Sequence, residues 1–258
     1  MDHFGNTDIG RKRKVNQDNF CVKVLAPNCL LCAVFDGMGG HAGGETASRI
    51  ALERFSAVVC DTLSPKTNEL TGLVDATKTQ IFNVMNKGVD IANTAIFEAA
   101  SENSELHGMG TTLAAVLING TVAYGVNVGD SRVYLCQKDS ISQISHDHSY
   151  VQYLIDIGEI TKEEARSNSN KNIITKAVGT CESIEADTFV CSIDGGRLLL
   201  CSDGLSNHVD DTELFELING ADNAKECVDM LIDTANEHGG SDNITAIVVC
   251  TESANSVA

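Results

Sequence analysis

Leu30-Leu31-Cys32-Ala33-Val34-Phe35-Asp36-Gly37-Met38-Gly39-Gly40-His41 is the stretch on which the fold turns. Its apolar half reads as a short buried strand. That strand stops at a carboxylate and a glycine-rich turn. Residues 44–55 then read as a helix. An acid at the end of a buried strand, with small residues beside it, suits a hard cation or a phosphate.

Upstream, residues 19–24 read as a partner strand, joined through a Pro27-Asn28 turn. Downstream, residues 61–71 form a polar connection containing Pro65. Residues 75–101 carry Ile81, Val84, Met85, Val89, Ala92 and Ile96 at helical spacing, so one long amphipathic helix is expected. Then the period changes. Residues 111–118 and 121–127 flank Asn119-Gly120, the dipeptide of a tight primed hairpin turn. Val122, Tyr124 and Val126 alternate as on a half-buried strand. Residues 131–136 and 140–144 are read as continuing the meander. The sheet is therefore largely antiparallel, unlike a doubly wound nucleotide fold. Residues 147–166 form a helical insert, broken at Gly158 and restarted by a capping box at Thr161-x-x-Glu164. Strands follow at 187–191 and 197–201, helices at 211–218 and 224–238, and a last strand at 244–250. A small polar tail begins at Thr251. With no repeat and no linker, the 258 residues read as one domain of mixed strands and helices.

Composition narrows the function. Lys and Arg total 18 against 36 Asp and Glu, a formal net charge of -18, which argues against nucleic acid as a partner, and none is expected. A hydrophobic content of 43% supplies a sizeable core. No apolar run approaches the roughly 20 residues of a membrane helix. The N-terminus lacks a basic segment followed by an apolar one, so no signal peptide and no membrane are expected, and the cytoplasm is the default location. The ten cysteines are scattered, several inside apolar runs, and behave as small buried hydrophobes in a reducing compartment. Cys29-x-x-Cys32 has zinc-like spacing but no second pair to complete a site.

Five acids recur at strand ends: Asp18, Asp36, Asp130, Asp203 and Asp242. Strand ends gather at one edge of a sheet, so these acids can converge. Taken singly, Asp36-Gly37 and Asp203-Gly204 are ordinary turn dipeptides. Taken together, they would repel one another unless a divalent cation intervened. An all-oxygen set points to Mg²⁺ or Mn²⁺ rather than zinc.

The order of motifs is similar to that of the metal-dependent protein phosphatase (PPM) family, the type 2C serine/threonine phosphatases, and most resembles its bacterial branch. Gly10-x-x-Arg13-x-x-Asn16-Gln17-Asp18 comes first, then Asp36-Gly37-Met38-Gly39-Gly40-His41. Gly108-Met109-Gly110-Thr111-Thr112 and Val128-Gly129-Asp130-Ser131-Arg132 follow. Next come His146-Asp147-His148-Ser149 with Gly158-Glu159-Ile160-Thr161, and Ile174-Thr175-Lys176-Ala177-Val178-Gly179. Ser202-Asp203-Gly204-Leu205 and Ser241-Asp242-Asn243-Ile244-Thr245 close the series.

The resemblance implies an α+β fold: a four-layer α-β-β-α sandwich of two mainly antiparallel sheets flanked by helices. A flap insert at residues 146–180 lies beside the site, and 251–258 form a tail. It further implies two Mn²⁺ or Mg²⁺ ions per active site, with a weaker third. Carried over by position, Asp36 bridges both metals and the Gly37 carbonyl binds one. Asp203 and Asp242 bind the other, and Asp18 supports the centre through metal-bound water. Asp130, with Asp203, matches the third site. Arg13 matches the residue that grips the substrate phosphate.

The reaction that follows is hydrolysis of phosphoserine and phosphothreonine. Two cations lower the pKa of a shared water, and the resulting hydroxide attacks phosphorus in line with the departing oxygen. Arg13 and the metals stabilise the equatorial oxygens. An alkoxide is a poor leaving group and wants a general acid. His41 is assigned that role, with a metal-bound water as the alternative, because Met38 stands where eukaryotic members carry His. Asn207 stands where many relatives carry an acid. Asn168-Ser169 and Lys171 stand where bacterial relatives often have His-Pro and Arg. Phosphorylated proteins are the expected partners, with a serine/threonine kinase whose action is opposed.

Three rival readings are weaker. Gly37-x-Gly39-x-x-Ala42 with Asp61 matches a loose dinucleotide fingerprint, but Asp36 would repel a pyrophosphate and the downstream sheet is antiparallel. Cys191 and Arg197 have the spacing of a cysteine-phosphatase loop, yet Asp194 sits inside it and Arg197 begins a strand. A metal-binding module without catalysis would not need Arg13 and four acids intact.

Overall fold

The computed structural model describes residues 1–40 and 43–251. The chain opens with β1 (Asp2–Asp8), then a hairpin of β2 (Asp18–Ala26) and β3 (Cys29–Met38). Helix α1 (Gly43–Leu63) leads through the short ribbon β4 (Thr67–Asn68) and β5 (Leu73–Val74) to helix α2 (Lys78–Glu102). After β6 (Gly110–Thr111) come β7 (Leu113–Asn119), β8 (Val122–Val128), β9 (Arg132–Gln137) and β10 (Ser140–Gln143). The insert holds helices α3 (Tyr150–Asp156) and α4 (Lys162–Arg166). Then follow β11 (Asp187–Ser192), β12 (Arg197–Cys201), α5 (Asp203–Ser206), α6 (Asp211–Gly220), α7 (Ala224–Glu237) and β13 (Ile244–Cys250).

The strands form two large antiparallel sheets, ordered β1-β13-β12-β9-β10 and β11-β8-β7-β3-β2, with β6 added to β3. Alternation along each strand divides the apolar residues between two faces. On β3, Leu31, Ala33 and Phe35 pack with Ala47, Phe55, Ile81 and Ile96 of α1 and α2. Leu30, Cys32 and Val34 face the other way and meet Leu198, Leu200, Ile247 and Val249 of the second sheet. That sheet's outer face, with Leu199, Ala246 and Val248, is covered by Leu214, Ile218, Val228 and Leu231 of α6 and α7. Three apolar seams thus bind four layers, the expected α-β-β-α sandwich. Because both faces of the central strands are buried, they read as continuous apolar runs.

Several boundaries differ from the sequence reading. Strand β1 falls outside every element expected from the sequence. Its composition is polar, but it pairs with β13 along its whole length, from Asp2 opposite Cys250 to Asp8 opposite Ile244. Helix α1 runs past residue 55 because Ala47, Ala51, Phe55, Val59 and Leu63 repeat every four residues and are all buried. Helix α2 starts at Lys78, fixed by a capping box between Thr77 and Gln80.

The β7–β8 hairpin turns as expected, but Asn119 stays in the strand opposite Val122. Gly120 alone takes a positive φ, 68°, which is the pattern of a type II′ turn. Freed from the turn, the Asn119 amide clamps β5, accepting from Val74 N and donating to Val74 O at 2.9 Å each.

The meander does not continue past β8. Strand β9 lies in the opposite sheet, with Arg132 paired to Cys201. Gly129-Asp130-Ser131 carries the chain across, pinned by a 2.7 Å hydrogen bond between the Ser131 and Thr112 hydroxyls.

Candidate active site

The alternation that fills the inter-sheet seam also builds the site. Leu30, Cys32 and Val34 point between the sheets. Asp36 is next on the same face, and on β2 Asp18 is its direct cross-strand partner. On the facing sheet, Leu198 and Leu200 of β12 lead to Ser202, and Val249 and Ile247 of β13 lead back to Thr245. Both rows run to the same end of the seam. The two sheets meet there: Asp18 Oδ2 accepts hydrogen bonds from Ser202 Oγ and Thr245 Oγ1, each at 2.7 Å. Aspartate from one sheet is clasped by hydroxyls of the other.

Asp203 opens α5 and Asp242 lies two residues before β13, so both come from the second sheet's side of the seam. Asn207 Nδ2 donates to Asp203 Oδ2 at 2.9 Å. Asp242 Oδ1 accepts from Asn243 N at 2.8 Å, and Asp242 Oδ2 pairs with Arg13 Nη2 at 2.7 Å. The Asn243 side chain orders the loop carrying Arg13. Its Oδ1 accepts from Gln17 N at 2.8 Å, while its Nδ2 donates to Ile9 O at 3.0 Å and Val15 O at 3.1 Å. Asp130 follows β8 at the crossover between sheets and is buried.

The five acids are close enough to disturb one another. Burial, then repulsion from Asp18, Asp203, Asp130 and Asp242, drives Asp36 well above the carboxylate range. Burial pushes Asp18 up to about 7, against the two hydroxyl donors, which pull it down. Burial and the charge of Asp242 raise Asp203 to about 6. Burial, then Asp203 and Asp147, raise Asp130 strongly. Desolvated acids in one cleft call for a compensating cation.

Gly37 sits where the start of α1 crosses β3. A side chain there would collide with the backbone carbonyls of Gly44 and Gln17. Its glycine identity is thus required by close packing of backbone on backbone. Arg13, expected to hold substrate phosphate, is half exposed and paired with Asp242. The hydrogen bond to Asp242 raises its pKa further. His41, the expected proton donor, lies outside the described residues, as does the tail from residue 252.

Among the described residues, no group of three or more His, Cys, Asp or Glu side chains already stands as a coordination shell. The donor chemistry nonetheless fits a hard divalent cation. The donors are carboxylate oxygens, and Asp130 Oδ1 and Asp203 Oδ1 are buried without a hydrogen-bond partner.

Beside these acids lies a cavity of about 520 Å³, lined by Asp130, Asp203 and Asn207 together with Lys162, Arg166 and Lys171 of the insert. The root of the insert is anchored by Asp147. Arg132 Nε and Nη2 both donate to Asp147 Oδ2, at 2.9 and 2.7 Å, and Gln143 Nε2 donates to Oδ1 at 2.6 Å. Arg166 reaches Asp211 at 3.6 Å, joining the insert to α6.

Sequence reasoning missed the hydroxyls of Ser202 and Thr245, the scaffold role of Asn243 and the Arg13–Asp242 pair. The signal for the first two was present: each lies on the inward parity of an apolar strand, one step beyond its last buried apolar residue. The rival cysteine loop is dissolved, since Cys191 and Arg197 sit on strands of different sheets and Arg197 Nη1 donates to Ala221 O at 2.8 Å.

Comparison with known proteins agrees with this geometry. Residues 8–247 match the family model described as protein phosphatase 2C. The serine/threonine phosphatase stp of Listeria monocytogenes is 39% identical over 244 residues, covering 94% of this chain and 93% of that protein. The crystal structure of the serine/threonine phosphatase Stp1 from Staphylococcus aureus superposes with a TM-score of 0.87 at 32% identity, covering 97% of this chain and 94% of the other. The catalytic domain of PstP, solved in complex with two manganese ions, gives a TM-score of 0.79 at 32% identity, covering 95% and 96%.

Proposed function

The chain belongs to the protein phosphatase 2C family, and we propose that it hydrolyses phosphoserine and phosphothreonine in proteins. The observation that carries the reading is the meeting of Asp18, Asp36, Asp203 and Asp242 at the inter-sheet seam, with Arg13 at its rim. Asp36, Asp203, Asp242 and the Gly37 carbonyl would hold two Mn²⁺ or Mg²⁺ ions, with Asp18 in support and Asp130 with Asp203 at a weaker third position. Such ions supply an activated water near neutral pH and neutralise charge on the phosphate.

The chain's own groups do the rest. Asp18, fixed by Ser202 and Thr245, holds the two sheets in register beneath the reacting phosphate. Arg13 binds the phosphate oxygens with its planar guanidinium, exchanging its exposed pair with Asp242 for the substrate. An exposed pair of that kind is worth only about 1 kcal/mol or less, so the exchange is easily made. His41 donates a proton to the leaving serine or threonine oxygen. The whole chain acts as one catalytic domain, with residues 146–180 as a flap over the cavity. Its natural substrates are targets of a serine/threonine kinase. All ten cysteines are unpaired, which suits the reducing cytoplasm.

The test is hydrolysis of a phosphothreonine peptide with Mn²⁺, with chelator, and after thiol alkylation. Turnover is expected with Mn²⁺, none with chelator, and no loss from alkylation. Activity that survived chelation, or that alkylation alone abolished, would sink the reading. No turnover with any divalent metal would favour a metal-binding module on the same fold.

A further inference from the structure

His148 stands at the root of the insert and is tied to three segments of the chain. Its backbone N–H donates to Gly129 O at 2.9 Å, and its Nδ1 accepts from Gly129 N at 3.0 Å. Its carbonyl accepts from Thr175 N at 2.8 Å, where the insert returns to the body. Its Nε2 meets Asp187 Oδ1 on β11 at 3.2 Å, an acid also approached by Lys176 Nζ at 3.7 Å.

These contacts define the imidazole's state. Nδ1 can accept from Gly129 only if it carries no proton, so the proton of the neutral ring sits on Nε2 and is donated to Asp187. The ring is largely buried, with 12% of the side chain exposed. Gly129, held at both its N–H and its carbonyl by one residue, is the immediate neighbour of Asp130. Asn127 Nδ2 adds a second donor to Gly129 O at 3.2 Å and also reaches His146 O at 3.0 Å. The backbone that aims Asp130 is therefore set by the insert's first residues.

We propose that His148 is a positioning residue for Asp130: its paired bonds to Gly129 set where that carboxylate stands, and its bonds to Thr175 and Asp187 couple that position to the seating of the flap. The consequence for catalysis rests on the phosphatase reading. The flap does not simply cover the cavity. His148 thus aims Asp130 from one side of its ring and ties the insert to β11 from the other, so a substrate that lifts His148 itself off Gly129 also shifts Asp130, whereas loss of the outer tie alone does not.

Two amide-bearing replacements separate the two sides of the ring. The Asn oxygen of His148→Asn falls where Nδ1 was and can still accept from Gly129 N, but it cannot reach Asp187. His148→Gln reaches toward Asp187 and leaves Gly129 N unpaired. Asp187→Ala cuts only the outer tie. Amide exchange at residues 129–131 should quicken in His148→Gln and stay as in the unmodified protein in His148→Asn and Asp187→Ala. By calorimetric titration with Mn²⁺ alone, the weakest binding step should loosen about tenfold in His148→Gln and stay within about twofold in His148→Asn. Equal exchange at residues 129–131 in the Asn and Gln variants would overturn the proposal. If His148→Gln does not fold, ¹⁵N shifts of the unmodified protein decide it: they should show Nδ1 bare and Nε2 protonated, and a protonated Nδ1 overturns the proposal. An unmodified protein that binds Mn²⁺ but leaves phosphothreonine peptides intact defeats the phosphatase reading, and the exchange comparison still decides the role of His148.

Discussion

Asp18 and Asp36 face each other directly across the β2–β3 ladder, as Cα partners with side chains on the same face. Like charges in that position destabilise a sheet, and here Asp18 is buried and Asp36 half-buried at the end of an otherwise apolar seam.

The sign of the effect on stability follows from Asp18. Its proton is lost near 3.8 in the unfolded chain and near about 7 in the folded one. The folded protein holds the extra proton between those values. Its stability contribution is full below the lower value and is lost as pH rises through the upper one. Asp36, Asp130 and Asp203 shift the same way. Metal-free protein is therefore expected to melt lower at about pH 8 than at about pH 5, with Mn²⁺ raising the melting temperature more at the higher pH. Asp36→Asn should melt above the metal-free parent at about pH 8 while losing turnover, a trade of activity for stability. A metal-free melting temperature that climbed steadily with pH would contradict this account.

The hydroxyl donors tune Asp18. Ser202 and Thr245 favour its ionised form, so removing one should raise its pKa further. Thr245→Val keeps the shape and deletes the donor. The acid limb of the pH–rate profile should move to higher pH, and Ser202→Ala should move it in the same direction. An unmoved acid limb in both variants would show that Asp18 does not govern it.

Arg13→Ala should lower kcat/KM by about 10²- to 10³-fold, the usual effect of losing one charge-stabilising donor. Arg13→Lys should recover only part, since an ammonium cannot bind two phosphate oxygens side by side. The side chain is 51% exposed, so melting temperatures of both variants should stay near the parent's. A large stability loss with unchanged kinetics would reassign Arg13 to structure.

His41 can be tested through the leaving group. His41→Ala should slow hydrolysis of a phosphothreonine peptide by about 10²-fold or more while leaving an aryl phosphate, whose phenolate departs unaided, much less affected. Equal losses on the two substrates would remove His41 as the proton donor.

The fold was legible wherever burial on both faces made a strand continuously apolar, as in β3, β7, β12 and β13. It was legible too where the period was long, as in α2. Strand β1 was hidden because an edge strand needs few apolar residues, and Phe4 is the side chain it packs against the adjoining core. The sheet to which β9 belongs was also hidden, since local alternation is the same on either side of the sandwich. The acids of the site stood out as charges at the ends of apolar runs. Their supports did not: Ser202 and Thr245 look like ordinary strand residues, and only the meeting of two sheets makes them donors to Asp18. The bond between Arg13 and Asp242 spans nearly the whole chain, a distance no local pattern encodes.

The pairing of β1 with β13 also bears on how the protein is made. During synthesis β1 emerges long before β13 and stays unpaired until β13 follows. Asp242 and Thr245 emerge with β13, so until then a nascent chain carries Asp18 and Asp36 without the groups that complete their cleft. The cleft is therefore closed only once β13 has emerged, and a chain cut short before Asp242 lacks one side of it.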